Sequence, residues 1–235
     1  MTHDQHDDTQ PGRYTLFESL VLLPEAFSLE DLLALLPEGA GLEDLPALMP
    51  DGLSGGGLLD WEAARRQWRM RLEAKINGDV QEYGFFVMVV VDPARAQPPF
   101  AYTIGLHHTN PALCDLLMLG LDAERLWHFV ADIARGALAD KRCEAGQTSA
   151  EFTANGLPFF FAPVGAEYYD DYLGWASNFY ARRPFPVLQV VWPDEAGRFP
   201  WQSGFDERFR AQQPLLFESS PYTGGPAASP GNGAV

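Results

Sequence analysis

Phe100-Ala-Tyr-Thr-Ile-Gly-Leu-His107 is the segment around which the predicted fold is built. Its aromatic and β-branched residues are typical of a strand, and Asn110-Pro111 interrupts the chain soon afterwards. The run before it, residues 85–91, is almost continuously apolar, as expected of a central strand covered on both faces. A turn over residues 92–99 separates the two runs, so the sequence predicts that they pair as a hairpin.

Further strands and helices are expected on both sides of this hairpin. Strands come first as a hairpin and then alternate with helices, which favours an α+β fold over a doubly wound nucleotide fold. We therefore predict one main domain with a mixed, largely antiparallel sheet and helices packed on it, plus a small helical N-terminal extension. The other predicted strands cover residues 115–121, 156–164 and 187–192, and the predicted helices cover residues 61–76, 123–138 and 167–180.

The charge is concentrated at the N-terminal end of the 235 residues. Acidic residues outnumber basic ones 32 to 16, which gives a net charge of −16, and residues 1–60 hold twelve acids against one base. We predict a disordered acidic tail over 1–13, a small helical extension ending in a glycine-rich linker over 14–57, the main domain over 58–218, and a disordered Pro/Gly/Ser tail over 219–235. Residues 1–56 are expected to be dispensable for folding of the main domain.

Composition also excludes several classes of partner and location. A net charge of −16 repels phosphate backbones and anionic lipid, so neither nucleic acid nor a membrane surface is an expected partner. The longest apolar run, residues 84–91, is far too short to span a bilayer. The acidic start does not resemble a secretory signal, and the two cysteines, Cys114 and Cys143, are expected to be thiols. The predicted location is the cytoplasm.

Two segments resemble a known bacterial family of domains of unknown function, the one numbered 4262. The Tyr-Thr-Ile-Gly-Leu part of residues 102–106 resembles the motif that its members carry after a buried strand. The later Trp-Pro-Asp-Glu-Ala-Gly-Arg-Phe-Pro-Trp of residues 192–201 is similar to the family's closing segment. The resemblance covers roughly residues 75–217. It implies membership and carries over no catalytic role, because no activity is assigned to the family.

The end of the first motif is the main candidate site. A glycine in a strand often marks a bulge or the close approach of a ligand, and ligands tend to meet a sheet at strand ends. We therefore consider a pocket with Thr103 and Gly105 as its floor and Tyr102 and His107 at its edge. The alternative is a buried strand with a packing glycine and two exposed loop histidines. The candidate ligand-binding or cofactor-binding residues are Gly105, His108, Trp175 and Trp192.

Two functions remain open from the sequence. The favoured one is a non-catalytic small-molecule or protein-binding module with its site near Tyr102 to His108, because no complete catalytic constellation can be assembled. The alternative is an enzyme, a hydrolase or transferase, that uses Tyr102, Thr103 and His107. No cofactor is identified, the oligomeric state is open, and either a small molecule or an acidic protein could be the partner. The basic cluster of residues 65–75 could bind such a partner or the chain's own acidic extension.

Metal and thiol chemistry are weaker possibilities. His107, His108 and Asp115 could supply metal ligands, but no Cys-x-x-Cys or His-x-x-x-His spacing accompanies them, so no metal is predicted. His128 and Asp132 are expected to be a hydrogen-bonded pair on a helix surface. Cys114 lies close in sequence to the histidines, yet a free cysteine usually serves as a small buried hydrophobe, which is its predicted role.

Overall fold

The computed structural model describes residues 61–91, 97–153 and 156–217, with the backbone alone over 61–68. The chain divides into two compact units, Met1–Met70 and Arg71–Val235. The predictions for the N-terminal tail, the helical extension and the C-terminal tail fall outside the described residues, as does most of the turn after residue 91. In the described part, no helix is long and apolar enough to cross a membrane.

Six strands form one sheet in the order β1-β2-β3-β6-β5-β4. Four neighbouring pairs are antiparallel, and the central pair, β3 with β6, is parallel. This confirms the predicted α+β class, the mixed and largely antiparallel sheet, and the hairpin at its start. The strands are β1 (Phe86–Val90), β2 (Phe100–Ile104), β3 (Asp115–Leu119), β4 (Thr148–Ser149), β5 (Phe159–Pro163) and β6 (Val187–Val191).

The first described helix, α1 (Trp61–Tyr83), is longer than predicted. Its expected end at Asn77-Gly78-Asp79 is wrong because Val80 continues the buried stripe of Leu72 and Ile76 by one more turn. The helix stops only at Gly84, whose φ of 86° takes the chain into the left-handed region.

The remaining helices are one long helix and several single turns. The long one, α3 (Ala123–Leu138), begins as predicted at Asp122, whose side chain accepts a hydrogen bond from the Arg125 N–H. The predicted helix over 167–180 is wrong as a single element: it breaks at Leu173, which leaves helical geometry with φ −122° just before Gly174. The short helices are α2 (Leu106–Thr109), α4 (Tyr169–Tyr172) and α5 (Gly174–Phe179), with 3₁₀ turns at Ala166–Tyr168 and Glu207–Phe209.

Both faces of the sheet are covered. Helix α3 packs on one face, where Leu126, Val130 and Ile133 join the largest group of buried side chains. On the other face, two buried glutamines fasten the C-terminal segment to β6 and to the residue after it. The Gln189 amide pairs with the backbone of Pro214 and Leu216, and the Gln213 amide pairs with both backbone groups of Trp192.

Candidate functional site

A buried carboxylate, that of Asp115, organises the end of the first family motif. Asp115 begins β3 and is 0% exposed. Its Oδ1 accepts a 2.6 Å hydrogen bond from the Thr103 hydroxyl and a 3.1 Å bond from the Leu106 N–H. Its Oδ2 accepts a 2.5 Å bond from the Tyr180 hydroxyl. One side chain therefore ties together strand β2, helix α2 and the residue that follows α5.

No cation neutralises this carboxylate among the described residues. Burial raises the pKa of Asp115, while the hydrogen bonds from Thr103, Tyr180 and the backbone of α2 oppose that rise. Burial and the neighbouring Asp115 carboxylate together raise the pKa of Tyr180 well above its usual value. Tyr180 therefore stays protonated near neutral pH and acts as a hydrogen-bond donor to Asp115.

Gly105 makes the bend that brings α2 onto Asp115. Its φ is 92°, and a Cβ atom at this position would lie 2.6 Å from Cγ2 of Val80 on α1. Both the backbone geometry and the closely packed helix therefore require glycine. The bend directs the Leu106 N–H at Asp115 and begins a helical turn where the sequence predicted a loop.

The surface side of this turn carries two histidines. The His107 Nδ1–H donates to the Leu113 carbonyl at 2.8 Å, since a carbonyl can only accept, and Nε2 has no hydrogen-bond partner among the described residues. The backbone N–H of His108 donates to the Tyr180 oxygen at 3.2 Å. The exposed His108 ring lies edge-on to Phe179, with ring centroids 5.6 Å apart. Below, "the histidine turn" means His107, His108 and the Tyr180 side chain that holds them.

The two other predicted catalytic residues lie behind this surface. Tyr102 is 2% exposed, and its hydroxyl contacts the backbone of Trp175; burial raises its pKa. Thr103 is 0% exposed; its hydroxyl donates to Asp115 and accepts the Leu116 N–H at 2.9 Å. The prediction that Thr103 and Gly105 form the floor of a pocket is therefore corrected. Thr103 supports the histidine turn from inside the fold, and Gly105 is the packing glycine of the alternative prediction.

Trp192, one of the two tryptophan candidates, bonds at the other end of β3 from the histidine turn. The Trp192 ring is buried, and its Nε1–H donates to the Leu119 carbonyl at the far end of β3. His107 is bonded to Leu113, which precedes the start of β3, and the four residue steps from Asp115 to Leu119 span about 13 Å at a strand rise of about 3.3 Å per residue. Trp175 is half-buried in α5 and approaches Tyr102 through its backbone.

The structure also places the side chains considered for metal binding, for a helix-surface pair and for thiol chemistry. No three His, Cys, Asp or Glu side chains could hold a metal ion together in the part of the chain that the structure describes. The predicted pair on α3 is wrong: Asp132 accepts from Arg135 at 2.6 Å, while His128 faces Glu124 with 4.0 Å between Nε2 and Oε1. Cys114 is half-buried against the core. Burial raises the pKa of its thiol most, and the neighbouring Asp115 carboxylate raises it further. A raised pKa is the opposite of thiol activation.

The second family segment is organised by another aspartate, Asp194, at the opposite end of the sheet. Its side chain accepts hydrogen bonds from the N–H groups of Ala196, Arg198 and Asp206 and from the Arg198 guanidinium. Burial acts to raise the pKa of Asp194, but these donors outweigh it and lower the pKa below its usual range. Asp194 therefore holds its loop as a carboxylate.

Sequence reasoning missed the central roles of Asp115 and Tyr180. The sequence indicates Asp115 only as a possible metal ligand and places Tyr180 only at the end of the predicted helix over 167–180. The sequence does contain a signal for Asp115: it is a charged residue directly before the apolar Leu-Leu-Met-Leu of a buried strand, where a carboxylate needs hydrogen-bond partners. Nothing in the sequence pairs it with Tyr180, which lies 65 residues later.

These features define a class: an α+β domain with a mixed six-stranded sheet, in which a buried aspartate holds a surface turn of two histidines. A family model described as "Domain of unknown function (DUF4262)" matches residues 79–206. The match spans more than half of the 235 residues, and the chain belongs to this family. No curated protein and no solved structure matches the chain.

Proposed function

We propose that this chain is a non-catalytic binding module and that its site is the histidine turn. The observation that carries the proposal is the hydrogen-bond chain from Thr103 through Asp115 to Tyr180 and the His108 N–H. This chain fixes the backbone of a single helical turn at the surface. A fixed turn loses little conformational entropy when a partner binds, which is the benefit of a preorganised site.

The chemistry of the turn suits recognition of polar groups. His107 presents Nε2, because its Nδ1–H is bonded to Leu113. His108 presents an exposed imidazole beside the half-buried rings of Phe179 and Tyr180. Imidazole nitrogens donate or accept hydrogen bonds, and the adjacent rings add apolar contact area.

Three features argue for binding over catalysis. The Thr103 hydroxyl is buried and makes two hydrogen bonds within the fold, so it is a poor nucleophile. Tyr102 is buried with a raised pKa, which makes it a poor general base. His107 is oriented by a backbone carbonyl, whereas a catalytic histidine is commonly oriented by a carboxylate.

The wider setting of this function is also a proposal. Both cysteines are unpaired thiols, as is usual in a reducing compartment, so we place the module in the bacterial cytoplasm. A net charge of −16 argues against nucleic acid and anionic membrane surfaces as partners.

Native mass spectrometry of the full chain tests the proposal. The protein is incubated with the small-molecule filtrate of a bacterial extract and with its protein fraction, and retained adducts are recorded. We expect an adduct on the wild type that is lost in His107→Ala/His108→Ala. His128→Ala, which alters an exposed histidine on α3, is the matched control and should keep the adduct.

Two results would contradict a binding module at this turn. One is an adduct retained equally by all three proteins, which would place the site elsewhere. The other is repeated turnover of a filtrate component that depends on Thr103 and His107, which would establish the enzyme alternative.

A further inference from the structure

Two arginines that form no ion pair with the described residues follow the histidine turn directly. Arg182 and Arg183 are exposed, and neither forms an ion pair with another described residue. Several other described arginines pair with a nearby carboxylate, as Arg208 does with Asp206. In a chain with 32 acids and 16 bases, two adjacent guanidinium groups with no carboxylate partner in the described part of the chain mark a local positive patch.

The backbone holds these arginines in a defined position. Ala181 and Arg182 have φ values of 52° and 55°, a left-handed conformation that non-glycine residues rarely adopt in succession. Three hydrogen bonds fix the segment: Ala181 N–H to Asn178 O, Arg182 N–H to Ser177 O, and Arg183 N–H to Tyr180 O. The Cα atom of Arg182 is two residues from that of Tyr180, within about 8 Å. The positive patch therefore adjoins the histidine turn.

We propose that the partner of the histidine turn is an acidic peptide segment of another protein, held by Arg182 and Arg183; this rests on the proposed function. A guanidinium group matches a carboxylate with two parallel hydrogen bonds. Arginine and tyrosine are also the residues that most often dominate protein interfaces. The patch combines both with the rings of His108 and Phe179.

The exposure of the patch and the net charge of the chain favour an acidic peptide over other anions as the partner. Small-molecule sites enclose most of their ligand in a concave pocket, whereas His108 and both arginines are exposed. A nucleic acid is a long polyanion and meets the repulsion of the whole chain at −16. A short acidic segment feels mainly the charges within a Debye length, about 8 Å at physiological salt.

Fluorescence anisotropy with a fluorescein-labelled oligoglutamate peptide and the full chain tests this inference. We expect binding that weakens as salt rises, and an affinity at least about tenfold lower in Arg182→Gln/Arg183→Gln. Arg183→Gln alone, at a position with ordinary backbone geometry, should give part of that loss. The charge-matched control is Arg125→Gln/Arg208→Gln, at the opposite end of the sheet, where affinity should stay within about twofold of wild type.

Several results would overturn the inference: no binding of the peptide, equal loss in both double variants, equal binding of an oligoglutamine peptide, or tighter binding of a single-stranded oligonucleotide. If the His107→Ala/His108→Ala variant binds the peptide as well as wild type does, the peptide does not bind at the histidine turn. The two proposals fail separately. An extract adduct that depends on the histidines, without peptide binding, supports the proposed function and refutes the acidic partner.

Discussion

Replacing Asp115 by alanine should destabilise the domain strongly, because several donors converge on its carboxylate. Thr103 and the Leu106 N–H are buried, and each would lose its acceptor. A buried donor left unsatisfied costs about 1–3 kcal/mol, so the pair costs about 2–6 kcal/mol. Removing a buried carboxylate relieves its desolvation and offsets part of this loss, so we expect Asp115→Ala to lower the free energy of unfolding by about 3 kcal/mol.

The Asp115→Asn variant keeps a hydrogen-bond acceptor and removes the negative charge, so it separates the effects of these two properties on stability. Asparagine keeps one oxygen for Thr103 and Leu106, so we expect it to lose about 1 kcal/mol or less. Because burial raises the folded-state pKa of Asp115, the folded chain keeps this proton to higher pH than the unfolded chain does. The stability of wild type relative to Asp115→Asn should be greatest below about pH 4, should fall as pH rises to the folded-state pKa, and should then level off.

The assay is urea unfolding followed by tryptophan fluorescence, with midpoint and slope compared across pH. Asp132→Ala is the matched control, since this aspartate is exposed and pairs with the exposed Arg135, and it should change stability by less than about 0.5 kcal/mol. An Asp115→Ala variant as stable as this control would refute the reasoning. An Asp115→Asn variant as unstable as Asp115→Ala would show that hydrogen-bond acceptance is not the cause.

Three further predictions concern neighbouring features. Gly105→Val should cost about 1–3 kcal/mol in urea unfolding, because its side chain would overlap Val80 at a position with positive φ; unchanged stability would contradict the packing role. Tyr180→Phe should cost about 1–2 kcal/mol in the same assay, because Asp115 loses a donor, and no measurable cost would argue against that bond. Asp194 has a lowered pKa, so its stability contribution is present above about pH 4 and is lost as pH falls through the folded-state pKa. The stability gap between wild type and Asp194→Asn should therefore narrow on acidification, and a constant gap down to about pH 3 would be inconsistent with this.

The parts of the fold that depend on local pattern could be predicted from the sequence. The apolar run that forms β1 and the motif that forms β2 are joined by a short connection, so their hairpin follows from neighbouring residues. The cap at Asp122 is likewise a local signal. The parallel pairing of β3 with β6 joins Asp115 to Val187, 72 residues apart, and only the overall alternation of strands and helices pointed to a mixed sheet.

The errors arose where packing outweighed local propensity. Asn77-Gly78-Asp79 is a poor helical sequence, yet burial of Val80 carries α1 through it. Gly105 drew attention as a site of ligand approach, but the group that approaches it is Val80. The histidines of the candidate site were recognised from the motif, whereas the buried carboxylate beneath them depends on contacts between residues far apart in the sequence.

Amide hydrogen exchange at Leu106 and His108 tests most directly whether Tyr180, held by Asp115, fixes the histidine turn. Tyr180→Phe removes the acceptor of the His108 N–H and leaves the acceptor of the Leu106 N–H, Asp115 Oδ1, in place. The His108 amide should then exchange at least about tenfold faster, while the Leu106 amide stays protected. Unchanged exchange at His108, or equal loss of protection at both amides, would contradict the account.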